Sequence, residues 1–454
     1  MGKAAKKAGA KSEGADAPLK VIPSRKGLPS YWYVFPLMVG WISFLYLSGI
    51  WPYFLVYFFL YIAVCPFVSW PQATKLLIRT LQPYPGFDYY VNLNGLAMVV
   101  SRFLLLWPLE TFLWYVDDLI FPAYRKTKIV KPLFVIGQPR SGTTKLENIL
   151  SKDDRLVSLT LFEMRFPYLT IFYLKNYIDK IDKKYLNGGI RAFVYRHNLH
   201  YFMSATSERC KMRPLRFDRP DEDDTMFLFH QSMHFTLIAP FPAVENVRRY
   251  YHFDELPEAE QMRMMNFHYA AVQKVMYYRG EGKVYFSKWV GGWNGQLQIS
   301  DKKFYKDAQY LCIVREPVDS LPSWMRLQAL LAYDFVGVEV LDHPGILREI
   351  KKENIAWFKN QVDFCQSLGK DRLLTFSSEE YYKAIRKNTT QLYGHLGLEV
   401  TSEYDKVLQQ EDKAQVTHVP TKTDSRHITR EEIINDFPDL PRILLGKDAP
   451  ARPW

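Results

Sequence analysis

Residues 131–150 read Lys-Pro-Leu-Phe-Val-Ile-Gly-Gln-Pro-Arg-Ser-Gly-Thr-Thr-Lys-Leu-Glu-Asn-Ile-Leu, and no other segment constrains the fold as much. Leu133–Ile136 is a short apolar, partly β-branched run, as a buried strand would be. Residues 137–142 form a loop with glycine at both ends, and 143–150 reads as a helix opening on two threonines. Strand, glycine loop and helix in that order aim backbone N–H groups and the positive end of a helix dipole at one point, which is an anion cradle. The expected fold is therefore α/β, a P-loop-like central parallel sheet flanked by helices. Its strands fall near 133–136, 284–287, 309–314 and 373–376, with ligand at their carboxyl ends.

The spacing Gly137 to Gly142 matches a Walker A loop, which then requires Lys followed by Ser or Thr. Here Thr143 stands where that Lys should, and the cation has moved into the loop as Arg140. The substitution argues against an ATPase or kinase. A fork-shaped guanidinium can instead hold two oxygens of a bridging phosphosulfate.

Pro139, Arg140, Ser141, Gly142, Thr143 and Thr144 spell the Pro-Arg/Lys-Ser-Gly-Thr-Thr loop of the sulfotransferases that use 3′-phosphoadenosine-5′-phosphosulfate (PAPS). Gln309–Val314 reads as a second strand, and Arg315, Pro317, Asp319 and Ser323 follow it as that family's 3′-phosphate motif does. The chain thus resembles the PAPS-dependent sulfotransferases, most of all their large bacterial and algal branch, over about residues 130–430. The acidic run at 219–224, the strand at 283–288 and the strand and helix start at 373–381 resemble that branch too. Ser287 precedes Lys288 here where the branch has Lys-Ser-Pro.

The resemblance implies Arg140, Thr143 and Thr144 at the 5′-phosphosulfate, and Arg315 and Ser323 at the 3′-phosphate. Lys288, at a strand end, could stabilise the transferring sulfuryl group. Family members with an arginine in the loop often use a glutamate about twenty residues downstream as base, which points to Glu163. Its apolar neighbours Leu161, Phe162 and Met164 suggest partial burial. A histidine base would leave His197, His200, His230 or His234. PAPS is the implied co-substrate, and no metal is required where cationic side chains neutralise the leaving phosphate. A catalytically dead membrane scaffold is the rival reading from another class.

The N-terminal third is of another kind. Residues 1–26 carry seven basic side chains against Glu13 and Asp16 and are expected to be a disordered basic tail. From Gly27 to Thr74 there is no Asp, Glu, Lys or Arg. Ser48-Gly49-Ile50-Trp51-Pro52 breaks this run, giving two short helices, about 31–47 and 52–68, as a membrane hairpin; a buried core hairpin is the alternative. If both helices span, the catalytic part lies on the tail's side; if one does, it faces a lumen, which the Asn388-Thr389-Thr390 sequon would suit. Residues 75–128 are expected to hold amphipathic, membrane-proximal helices, followed by a sulfotransferase domain over 129–435 and a tail over 436–454.

The formal net charge of +11 suits an anionic partner. No nucleic-acid motif accompanies it, which leaves anionic lipid or a phosphorylated small molecule. The apolar run and the aromatics around 195–203 and 226–241 favour a lipophilic alcohol, such as a sterol or lipid headgroup, as acceptor. Carbohydrate and protein tyrosine are the alternatives. The expected location is a Golgi or endoplasmic reticulum membrane. Met262, Met264 and Met265 sit in a helical stretch where core packing is the default. Four cysteines occur, none in a CxxC pair, and a Cys210–Cys365 bridge is the one considered.

Overall fold

The computed structural model describes residues 34–68, 102–201, 208–230, 252–291, 295–336, 338–415 and 426–446, with a few more between 70 and 100. The expected basic tail, together with His234, lies outside them. Among the described residues five strands form one parallel sheet: β1 (Leu133–Gly137), β2 (Leu156–Val157), β3 (Val284–Lys288), β4 (Gln309–Val314) and β5 (Leu373–Ser377). Their order is β2-β3-β1-β4-β5. Leu133 of β1 registers with Phe286 on one side and Gln309 on the other.

Every residue of β1 is buried, as a central parallel strand covered on both faces must be. The four expected strands are present within a residue of their expected ends. The two-residue β2 has too little pattern to be read from sequence.

The chain order places β1 between β3 and β4, so connections leave its carboxyl end toward opposite sides. That is the topological switch point, where parallel sheets bind ligands. The helices that matter here are α1 (Val34–Leu47), α2 (Trp51–Val64), α3 (Trp107–Ile120), α4 (Thr143–Leu150), α5 (Leu161–Arg165), α6 (Leu169–Tyr185), α7 (Gly189–Arg196), α8 (Glu258–Arg279), α9 (Pro317–Val336) and α10 (Pro344–Ser367). α8 packs Met264, Met265 and Phe267 into the main core, so those methionines are structural.

The two apolar helices form where Gly49 and Pro52 predict them, but a crossing of the membrane is not shown. Each has 14 residues, about 21 Å at 1.5 Å per residue against a hydrocarbon core of about 30 Å. No helix among the described residues is long and apolar enough to cross a membrane. α2 is instead strapped to α3: Tyr57 donates to the Pro108 carbonyl, and the Tyr115 hydroxyl reaches the Val64 carbonyl at 2.6 Å.

Three further expectations change. Asn388 is buried and its amide donates to the Glu380 carbonyl at 2.8 Å, so the sequon offers no exposed acceptor. All four cysteines are free thiols; the Cys365 sulfur lies 3.8 Å from Cys312, because α10 packs on β4, and is not bridged to Cys210. The final segment is no loose tail up to residue 446: Asp439 caps a short helix, Leu440 is buried, and Phe437 packs on Phe358 of α10 at 5.2 Å.

Candidate active site

Gly137 ends β1 where a Cβ would lie 2.6 Å from the Ile313 carbonyl oxygen, so only glycine lets the loop leave the sheet this close to β4. Gly142 has φ +101°, and a Cβ there would meet the Tyr382 ring at 2.7 Å. Tyr382 also donates to the Gly142 carbonyl at 2.6 Å, clamping the loop against the helix after β5. The loop then opens into α4, with Thr143 and Thr144 at its N-terminus.

Arg140 has φ +69°, a left-handed conformation that costs a non-glycine residue about 1–3 kcal/mol. Contacts from distant parts of the chain hold it there. Its Nε donates to Ser323 Oγ at 3.0 Å, its Nη1 to the Met212 carbonyl at 3.3 Å, and Arg315 Nη1 donates to its own carbonyl at 2.9 Å. The fold thus brings together two motifs separated by about 180 residues. Arg315 stands just past β4 and Ser323 is buried in the second turn of α9.

Arg140 and Arg315 line a cavity of about 240 Å³ with Thr143, Thr144, Arg213, Glu222, Asp224 and the indoles of Trp324 and Trp357, and Ser323 stands behind the Arg140 guanidinium. Burial, together with the nearby charges of Arg213 and Arg315, makes the Arg140 guanidinium less basic than usual. Several like charges gathered around one buried space favour an anion between them.

Lys288, at the end of β3, is buried behind Thr144, which lines the cavity. Its Nζ lies 3.2 Å from Thr144 Oγ1, 2.9 Å from Glu147 Oε2 and 3.5 Å from Glu222 Oε1. Burial opposes its charge, but Glu147, Glu222 and Asp221 more than offset this and hold it cationic. Burial pushes the Glu147 carboxyl up to about 7, although Lys288 pulls it down. Glu147 Oε1 has no hydrogen-bond partner among the described residues.

The structure gives Glu163 other work. Its carboxylate closes a capping box with Thr160 at the start of α5 and takes two 2.8 Å hydrogen bonds from the Arg279 guanidinium. It does not line the cavity. Phe193 and Tyr195 pack on the rings of His197 and His200, each at 4.4 Å, and neither histidine lines the cavity.

The acidic run divides its labour: Asp221 pairs with Arg213, Asp223 with His268 at 2.8 Å, and Asp224 reaches the cavity. The Asp224 carboxyl is pushed well up by burial and by the charge of Glu222, and its Oδ1 is unpartnered among the described residues. Sequence reasoning missed Arg213, Glu147 and Asp224 as site residues. Arg213 sits in no motif; Glu147 carried a weak signal, standing one helical turn after Thr143 on the apolar face of α4.

The profile described as "Sulfotransferase family" matches residues 132–402. Two solved structures share the fold. One is sulfotransferase STF9 from Mycobacterium avium, with a TM-score of 0.54 and 14% identity, covering 83% of this chain and 95% of that one. The other is sulfotransferase STF1 from Mycobacterium tuberculosis H37Rv, with a TM-score of 0.52 and 14% identity, covering 83% and 92%. No curated protein matches the chain. The matched profile takes in well over half of the 454 residues, including the glycine loop, Arg315, Ser323 and all five strands, and so the chain belongs to the sulfotransferase family.

Proposed function

We propose that this enzyme moves a sulfuryl group from PAPS to a hydroxyl of a lipophilic acceptor and releases adenosine 3′,5′-bisphosphate. The contact between Arg140 and Ser323 supports this most, because it joins the segments expected to hold the 5′ and 3′ phosphates, and Arg140 and Arg315 line one cavity. The residues present suit an anionic nucleotide: a left-handed arginine in a glycine loop, two helix-start threonines and two further arginines. Arg140, Thr143 and Thr144 would hold the phosphosulfate end, and Arg315 with Ser323 the 3′-phosphate. PAPS, when bound, supplies an activated sulfuryl group on a phosphate that leaves readily.

The acceptor oxygen forms a new bond to sulfur as the bond from sulfur to the 5′-phosphate oxygen breaks. The electron pair departs on that phosphate, where Arg140 and Lys288 neutralise it. The hydroxyl proton must pass to a base. Asp224 on the cavity wall is the residue we assign to this, in place of Glu163, whose carboxylate is held by Arg279.

The apolar helices α1 and α2 support a membrane-bound enzyme of the Golgi or endoplasmic reticulum and hence a sterol or lipid alcohol as acceptor. The test is to incubate detergent-solubilised protein with radiolabelled PAPS and a pool of sterols, glycolipids, sugars and phenols, without added magnesium. Label entering a lipid alcohol and vanishing with Arg140→Ala would uphold the reading. Label only in sugars or phenols would overturn the acceptor; no affinity for PAPS would overturn the donor.

A further inference from the structure

Outside the catalytic cavity, large apolar side chains stay exposed on one connected set of helices. On α3 they include Phe112, Leu119 and Ile120, the last two more than half exposed. The next residue, Phe121, stacks on Tyr173 of α6 at 5.1 Å, which carries the apolar surface onto a second, distant part of the sequence. There Leu174, Tyr177 and Ile178 of α6 and Phe193 of α7 are exposed, Tyr177 at 62%. The Asp182 carboxylate accepts from Ile190 N at 2.8 Å and Arg191 N at 3.1 Å, fixing α7 against α6. A patch of this extent marks an interaction surface.

Charge says what covers it. From Leu169 to His200 there are six Lys and Arg residues against Asp179 and Asp182. Lysines beside exposed Tyr, Leu and Phe on a helix that does not span are the pattern of an element lying in a membrane interface. Beside it runs a groove of about 610 Å³ at the amino ends of the strands, lined by Lys128, Lys131, Lys283 and Tyr277. Tyr277 neighbours Tyr278, whose ring meets that of Tyr173 at 5.2 Å, so the groove borders the apolar face.

We propose that α1–α3, α6 and α7 form a monotopic seat on an anionic leaflet. The helices lie in its plane without crossing, and the lysine groove takes lipid headgroup phosphates. This stands apart from the reaction assigned above, since the groove and the catalytic cavity share no residue.

The full chain, labelled with an environment-sensitive fluorophore at Tyr177→Cys or, as a control, at the exposed Lys383→Cys, would be mixed with two kinds of vesicle. One is phosphatidylcholine alone; the other contains phosphatidylserine. The expected result is quenching by brominated acyl chains at 177 and not at 383, with tighter binding to the phosphatidylserine vesicles. Neutralising Lys128, Lys131 and Lys283 to Gln should weaken that binding about a hundredfold, at about 1 kcal/mol per lysine, at an unchanged melting temperature and with phosphatidylcholine binding unchanged. Reversal to Glu at the same positions should give a larger loss. A label at 177 that stays in water on bound vesicles would overturn the proposal, as would a groove variant that binds unchanged. A label at 177 buried in a lipid-free dimer would assign the face to a second copy of the chain.

Discussion

Lys274 lies near the end of α8 and Lys288 at the end of the strand that follows, both withdrawn from water and both beside a carboxylate. Lys274 pairs with Asp117 of α3 at 3.0 Å and sits 3.6 Å from the centre of the Trp114 ring, with the rings of Tyr124 and Tyr168 at 5.1 and 5.5 Å. The same Asp117 carboxylate accepts from Leu169 N, Thr170 N and Thr170 Oγ1, so it caps α6 and joins α3 and α6 to the core. Burial pushes this lysine down to about 8. Lys288 instead stands among Glu147, Glu222 and Asp221, which hold it cationic, and around it Glu147 Oε1 and Asp224 Oδ1 have no partner among the described residues. An acid with every oxygen engaged fastens helices together. A network with buried carboxylate oxygens left over is built to meet something else.

Mutation of each region tests that contrast. Arg140→Ala, which removes the loop cation, should lower kcat by about a thousandfold in the sulfuryl-transfer assay, as loss of a transition-state donor does, at near-normal melting temperature. Lys274→Met should do the reverse. It leaves Asp117 as a buried charge without its cation, costing about 3–5 kcal/mol in denaturant titration, with turnover per folded molecule unchanged. If Lys274→Met lost activity without losing stability, the division of labour would be wrong.

Lys288→Met should cost about a hundredfold in kcat but little stability, because Glu147, with its carboxyl already up at about 7, can take a proton when its partner goes. A pH series sharpens this. A carboxyl raised in the folded state contributes stability that is present below its unfolded pKa of about 4.5 and lost as pH rises through about 7. Glu147→Gln should therefore flatten the decline in unfolding free energy over that window, by about 1–3 kcal/mol. Ser323→Ala should have the smallest effect, weakening adenosine 3′,5′-bisphosphate binding about tenfold in calorimetry and leaving the fold intact.

Much of the nucleotide end was legible in the chain. Gly137, Arg140, Gly142, Arg315 and Ser323 stand in local patterns whose spacing follows from strand, loop and helix geometry. The lysine networks were not. Arg213 enters from a stretch without a motif, and Glu147 looks like any polar residue on a short helix until β3 brings Lys288 against it. For Glu163 the apolar neighbours suggested a poised base, and the structure adds what they did not show, a pairing with Arg279, 116 residues away. The apolar run gave two helices correctly, yet neither is long enough among the described residues to span a bilayer, and α2 is strapped to α3.

By itself the sequence determined the parallel α/β sheet, the glycine loop and the charge-free helices, because hydrophobic period, glycine placement and charge depletion act within a few residues. Only the tertiary structure decided that Arg140 meets Ser323, that Lys288 is caged by acids, and that α6 and α7 extend the apolar face of α3. Each of those depends on which distant side chain packing brings within a few ångströms, and burial then fixes the charge state that the contact produces.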